Sequence, residues 1–335
     1  MVPDPSAIEA AFADSSLPAT IVGDDDPHAS ARALARWCDE RLGASARACF
    51  HCAVSVGVSF GVELADGRRV AVKAQPPTLR EPQLVAVHAA QRRLADAAYP
   101  CPRPVAGPAP FLGTLAVAEE WVPGDAGDFA RPEVVAASAA ALADQVRLLR
   151  PLARTAPLPP TIAAEPWPPR PHNALFDFSR DAAGAAWIDA VAAAARERLA
   201  AGDVVVAHSD WSAKHVRFAG TRVCATYDWD SLRREREPVL AGFAAGCHHV
   251  LLDSAAPWRA EPERVRRFLD AYERARSSPF QPEERAAAEA AAVYLFAYTA
   301  RCEHGFTGRL DAPVTEIRAT LEDAAVDLLP HSRPA

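Results

Sequence analysis

No apolar run in the 335-residue chain reaches the eighteen or so residues of a membrane span, so none is expected. The first residues, MVPDPSAIEAAFADSS, lack a basic segment followed by an apolar core. A secretory leader is therefore not expected, and the cytoplasm is the expected compartment. No basic stripe interleaved with aromatics occurs, and the formal net charge is −7, which argues against nucleic acid as a partner. Seven cysteines, an odd and scattered number, argue against a disulfide framework. Only Cys49-Phe50-His51-Cys52 has the spacing of a metal or redox pair, and no second pair is placed to complete a zinc site. Free thiols are expected. Internal repeats are absent, as is low complexity beyond alanine enrichment.

With 50% hydrophobic and 24% charged residues, the chain can bury a core large enough for one big domain or two lobes. Residues 1 to about 25, rich in Asp, Pro and Ser, read as a loose arm. Helical spacing of apolar residues marks 27–42, which Gly43 stops. A strand-rich stretch follows over 52–74, with a hairpin turn at Asp66-Gly67 and a last strand, RVAVKA, that carries Lys73. An ammonium in an apolar strand calls for a partner. Residues 78–98 read as a helix with Pro82 in its first turn, and Pro100 to Pro104 as a rigid connection. A strand over 111–118 leads into Glu119-Glu120-Trp121-Val122-Pro123-Gly124. Beyond it the pattern is helical at 131–149, proline-rich at 151–171, and helical again at 187–199, 238–253, 261–276, 282–303 and 314–329.

The informative stretch is Val204 to Asp230, VVVAHSDWSAKHVRFAGTRVCATYDWD. It reads as an apolar strand, a polar loop opening at His208, and a hairpin of 216–218 and 223–226 around Gly220. The hairpin returns Asp228 beside Asp210 and His215. Phosphoryl transfer needs such a set: one carboxylate to orient the attacking hydroxyl and two groups to fix a divalent cation.

His208-Ser209-Asp210, four residues, His215, then a hairpin and Tyr227-Asp228-Trp229 resembles the catalytic core of the aminoglycoside phosphotransferase family. There the pattern is H-x-D-x-x-x-x-N followed by a hairpin and (I/Y)-D-W. One position departs, His215 for the usual Asn; the macrolide-phosphorylating branch is similar in carrying His there. The resemblance implies an α+β, bilobal protein-kinase-like fold: a small antiparallel β-sheet lobe with one main helix and a larger, mostly helical lobe. Expected bounds are 1–44 for the arm and first helix, 45–118 for the nucleotide-binding lobe, 119–124 for a hinge, and 125–335 for the helical lobe with its catalytic loop at 204–230. The implied activity is O-phosphorylation of a small-molecule hydroxyl, an antibiotic of aminoglycoside or macrolide type among the candidates. ATP or GTP would be the donor, with Mg²⁺, or Mn²⁺ in its place. A nucleotide-binding pseudokinase or ligand-sensing module without turnover is the alternative.

The resemblance also distributes roles. Asp210 would orient the hydroxyl, and His215 and Asp228 would bind the metal. Lys73 would contact the α/β-phosphates and pair with a helix carboxylate, for which Glu81 is the candidate although His88 or Gln91 occupies the more typical turn. The Glu120 carbonyl and Val122 amide would read the base. Gly57 and Gly61 either cover the phosphates or merely shape a hairpin. Asp230 is a supporting group or a helix cap, and His208 is structural. Trp167, His172, Phe176, Asp177 and Phe178 either wall a pocket or pin a loop. Asp253, Asp270, Glu273, Arg301, Glu303 and His304 are pocket candidates weighed against helix capping. The acceptor and the oligomeric state do not follow from the sequence.

Overall fold

A computed structural model describes residues 2–162, 167, 172, 175–251, 257–306 and 315–329. The first 25 residues form structure where a loose arm is expected: α1 (Ser6–Ala13) and α2 (Pro18–Val22) bury Ile8, Phe12, Leu17, Ile21 and Val22. Helices this short span too few turns for an apolar period to stand out among Pro and Asp. α3 (Pro27–Leu42) starts where the Asp26 side chain accepts the His28 N–H at 2.8 Å, with Pro27 in the first turn. It ends at Gly43, whose φ of +67° suits a residue without Cβ.

Five antiparallel strands follow: β1 (Ala46–Val54), β2 (Val58–Leu64), β3 (Arg69–Ala74), β4 (Pro104–Phe111) and β5 (Thr114–Glu120), in the order β1-β2-β3-β5-β4. The two-residue period of β3 buries Val70, Val72 and Ala74 against α1–α3 and turns Ala71 and Lys73 to the opposite face. β4 begins at Pro104, where the sequence reads as a connection. Its prolines fit because it is an edge strand, whose outer N–H groups pair with nothing in the sheet. α4 (Glu81–Asp96) covers the Lys73 face with Leu84, Val87, His88 and Gln91.

Past β5, β6 (Asp125–Ala126) joins the later hairpin, and α5 (Pro132–Leu149) and α6 (Ala186–Arg196) lead to β7 (Val204–His208), β8 (Val216–Ala219) and β9 (Arg222–Thr226). β10 (Leu232–Arg236) pairs antiparallel with β7, placing Leu232 opposite His208. α7 (Glu237–Cys247), α8 (Pro262–Ala275), α9 (Pro282–His304) and α10 (Ile317–Leu328) complete the helical body. The buried apolar residues form two clusters: one between the sheet and α1–α3, the other through the helices and the underside of α4. The architecture is bilobal α+β, and the cleft lies between those cores. No helix among the described residues is long and apolar enough to cross a membrane.

α7 and α9 meet backbone to backbone at Gly242, where an added Cβ would lie 2.0 Å from the Ala288 carbonyl oxygen. Separating two packed helices exposes core on both, so Gly242→Val is expected to destabilise the protein by about 3 kcal/mol. A thermal melt of the two proteins checks this; equal midpoints would contradict it.

Candidate active site

β7 delivers His208 to the cleft floor, where the buried Gln145 side chain accepts its backbone N–H at 2.7 Å. The ring then fixes the loop. The Asp210 N–H donates to Nδ1 at 3.1 Å, and Nε2–H donates to the Tyr227 carbonyl at 2.9 Å. Those bonds select the neutral tautomer, and burial, helped by His215, pushes the pKa down to about 4. His208 thus ties the loop to the far strand of the hairpin, a structural part.

The loop turns back through the Ser212 N–H to the Asp210 carbonyl (3.0 Å) and the His215 N–H to the Ser212 carbonyl (2.9 Å). The Tyr227 N–H donates to the His215 carbonyl at 2.8 Å, which draws the end of β9 alongside. As a result Asp210 Oδ2 lies 3.2 Å from His215 Nε2, which lies 3.7 Å from Asp228 Oδ2. One ligand atom from each of the three falls within 4.8 Å of the others. Asp228 takes a left-handed backbone conformation, φ +67°, braced by the Ser231 hydroxyl on its Oδ2 at 2.8 Å. Such a conformation persists only where its surroundings hold it. Two carboxylates and an imidazole are a donor set that fits a divalent cation, the carboxylates suiting Mg²⁺ and the nitrogen suiting Mn²⁺ better.

Lys73 faces this set from the sheet, its ammonium bonded to both Asp228 and Asp230. Burial alone would lift both carboxyls. Lys73, with His215 and His208, holds Asp228 well below the usual carboxylate range. Asp230 stays raised by burial and by Asp228 despite the lysine. Burial also lifts Asp210, but Lys214, 2.8 Å away, and His215 outweigh it and hold that carboxyl well below the usual range.

The expected pairing of Lys73 with Glu81 does not occur. Glu81 is exposed in the first turn of α4, and the turn that faces Lys73 presents His88 and Gln91. Gln91 donates instead to Glu119 on β5, whose carboxyl is pushed up to about 7 by burial against the pull of Gln91 and Lys73. These groups enclose a cavity of about 30 Å³, room for a water or two. No motif marks Glu119 in the sequence: its environment comes from burial and from Gln91 of α4, 28 residues away.

The remaining nucleotide candidates divide. Gly57 lies in the β1–β2 turn, where a Cβ would meet the Ala74 carbonyl at 2.6 Å and lie 3.5 Å from Lys73 Cε. Gly61 sits within β2 under the Phe50 ring, 2.7 Å from a Cβ position, so it makes room for packing within the strand. Glu120 ends β5 with its N–H given to the Arg103 carbonyl at 3.0 Å. Val122 has both backbone groups engaged by the Tyr227 hydroxyl, which accepts the N–H at 3.0 Å and donates to the carbonyl.

A model of the phosphotransferase enzyme family (APH) matches residues 53–235, more than half of the chain. The chain belongs to the phosphotransferase enzyme family. A search of curated proteins finds no match. Among solved structures, the chain is similar to the amicoumacin kinase hAmiN in complex with AMP-PNP, Ca²⁺ and Ami, at TM-score 0.60 and 11% identity, covering 83% of this chain and 86% of that one. A putative fructosamine-3-kinase from Thermobifida fusca is similar at TM-score 0.54 and 16% identity, covering 89% and 99%. The AMP-bound spectinomycin phosphotransferase APH(9)-Ia is similar at TM-score 0.53 and 12% identity, covering 90% and 99%. At these identities the likeness is one of fold, and the fold is protein-kinase-like.

Elsewhere in this phosphotransferase, several pocket candidates turn out to be structural. Trp167 is 8% exposed, packed on Phe178, Tyr294 and Tyr298, with Nε1–H donating to Asp189 at 2.7 Å. Arg301 does not cap α9: it is 1% exposed, bonded to the Phe178 carbonyl and 3.4 Å from Asp189. Asp270 and Glu273 pair with Arg285, Glu303 accepts the Thr315 hydroxyl at 2.6 Å, and His304 bonds the Asp181 carbonyl at 3.0 Å. His172 remains near the chemistry, 2.9 Å from the Tyr298 hydroxyl, and it feels Lys214 and Asp210 electrostatically. Asp253 lies outside the described residues.

Proposed function

We propose that the protein transfers the γ-phosphoryl group of a metal-bound purine nucleotide to a hydroxyl of a small molecule. The observation that carries this is the meeting of Asp210, His215 and Asp228 within 4.8 Å, opposite Lys73 in one crevice. Asp210 orients the acceptor hydroxyl. It is held ionised by Lys214 and His215, so it positions more than it deprotonates, which suits a loose transition state with little need for base strength. Asp228 and His215 would hold Mg²⁺ or Mn²⁺, which supplies charge neutralisation across the transferring phosphates. Lys73 contacts the phosphates, and the Glu120 carbonyl and Val122 amide receive the base. The functional units are the sheet lobe to residue 118, the hinge at 119–124 and the helical lobe beyond.

ATP is the first donor to try and GTP the second. Saturating Mg²⁺–ATP at about a hundredfold its Kd is expected to stabilise the protein by about 2.7 kcal/mol. Thermal melts with ATP alone, metal alone and both together measure it, alongside a phosphorylation screen over aminoglycosides, macrolides, sugars and amino alcohols. Stabilisation with product in the screen supports the kinase. Stabilisation without turnover points to the binding module, and no stabilisation at all sinks the reading.

A further inference from the structure

The hinge of this cleft is already occupied by the protein itself. Val122 presents one N–H donor and one carbonyl acceptor, and the single hydroxyl of Tyr227 satisfies both, accepting the N–H at 3.0 Å and donating its own proton to the carbonyl. A purine edge offers an acceptor atom for the Val122 N–H beside a donor group for the Glu120 carbonyl, so base and hydroxyl contend for the same N–H. The Tyr227 backbone cannot withdraw easily. Its N–H is given to the His215 carbonyl at 2.8 Å, and its own carbonyl accepts His208 Nε2–H at 2.9 Å. Only the side chain is free to leave, and it lies half-buried beside Trp121, ring centres 6.5 Å apart. We propose that the Tyr227 hydroxyl is a built-in competitor for the purine base, which must displace it from Val122 to bind. The inference rests on the nucleotide reading above and deepens it by naming the residue that sets base affinity.

Competition has a sign that simple contact lacks. In the unliganded wild type the hydroxyl gains two hydrogen bonds that it loses when the base arrives. Tyr227→Phe removes those bonds from the free state only, leaving Val122 unpartnered until a base comes. Two bonds near the low end of ordinary net strength correspond to about tenfold tighter binding in the variant. A side chain that instead contacts the bound nucleotide would give weaker binding on the same substitution.

Titration calorimetry on the full chain with Mg²⁺ present tests this with three probes: ATP, adenosine and inorganic tripolyphosphate. Tyr227→Phe is expected to tighten ATP and adenosine about tenfold and leave tripolyphosphate unchanged, because the competition sits at the base. Tyr227→Leu should move in the same direction and covers the case in which the Phe variant does not fold. Unchanged or weaker ATP binding in the folded variants overturns the proposal. So does equal tightening of tripolyphosphate, which would mean a general loosening of the cleft. If neither wild type nor variant binds ATP or adenosine, the nucleotide reading falls and the competitor falls with it.

Discussion

Replacing Asp210 by Asn should lower kcat for phosphoryl transfer about a thousandfold while leaving nucleotide affinity nearly unchanged. The magnitude follows from what a positioned carboxylate contributes to a proton in flight. Asn keeps the shape and can still accept one hydrogen bond, from the Ser212 hydroxyl that now donates to Oδ1 at 3.1 Å. It cannot supply the charge that orients a hydroxyl for in-line attack and takes its proton late. Nor can it neutralise the Lys214 ammonium, which lies 2.8 Å from Oδ2. The wild-type carboxyl lies well below the usual range, so ionisation of Asp210 should leave no acidic limb in the rate profile near neutrality. Steady-state kinetics with an acceptor found in the screen, for Asp210→Asn and Asp210→Glu, make the comparison. Undiminished turnover by the Asn protein removes Asp210 from the chemistry.

The features readable from sequence are those set by short separations. Four residues separate Asp210 from His215, and a tight hairpin separates His215 from Asp228, so local geometry alone brings the three together. The alternation in β3 likewise places Lys73 on the face opposite Val70 and Val72. What stayed hidden depends on distant partners or on patterns that imitate something else. β10, LRRER, has one apolar residue in five and looks like a solvated loop, yet it pairs with β7 along its whole length. β4 carries the prolines of a connector and survives as an edge. Lys73 finds its carboxylates 155 and 157 residues away on the other lobe, and no helical spacing in α4 could reveal that. Tyr227 stands in plain view beside Asp228, but that its hydroxyl meets Val122, 105 residues away, could not be read from the sequence.

Lys73→Met is expected to weaken Mg²⁺–ATP binding about a hundredfold and, at neutral pH, to lower stability by about 3 kcal/mol. The second effect comes from Asp228 and Asp230, two largely buried carboxylates that share this one ammonium, with side chains 23% and 9% exposed. Removing the cation leaves both anions desolvated and facing each other. In the wild type Asp228 has a depressed pKa, so its contribution is present above the unfolded value of about 3.9 and is lost as pH falls through the folded one. Asp230 is raised even with the lysine in place, so ionising it already opposes folding. Without Lys73 both carboxyls move upward, and each then destabilises the fold increasingly from the unfolded value of about 3.9 up to its folded-state pKa and fully above that. The difference in melting point between wild type and Lys73→Met should therefore be largest near neutrality and narrow as the pH falls toward 4, where protonation relieves the variant, the remainder going only lower, as Asp228 protonates in the wild type. Lys73→Arg, which keeps the charge, should hold most of the stability while still impairing nucleotide binding, because a planar guanidinium cannot reproduce a compact ammonium between two carboxylates and a phosphate. A melting-point gap that is flat with pH would mean that the ammonium stabilises neither carboxylate, and that the two lobes are held together at this point by something other than charge.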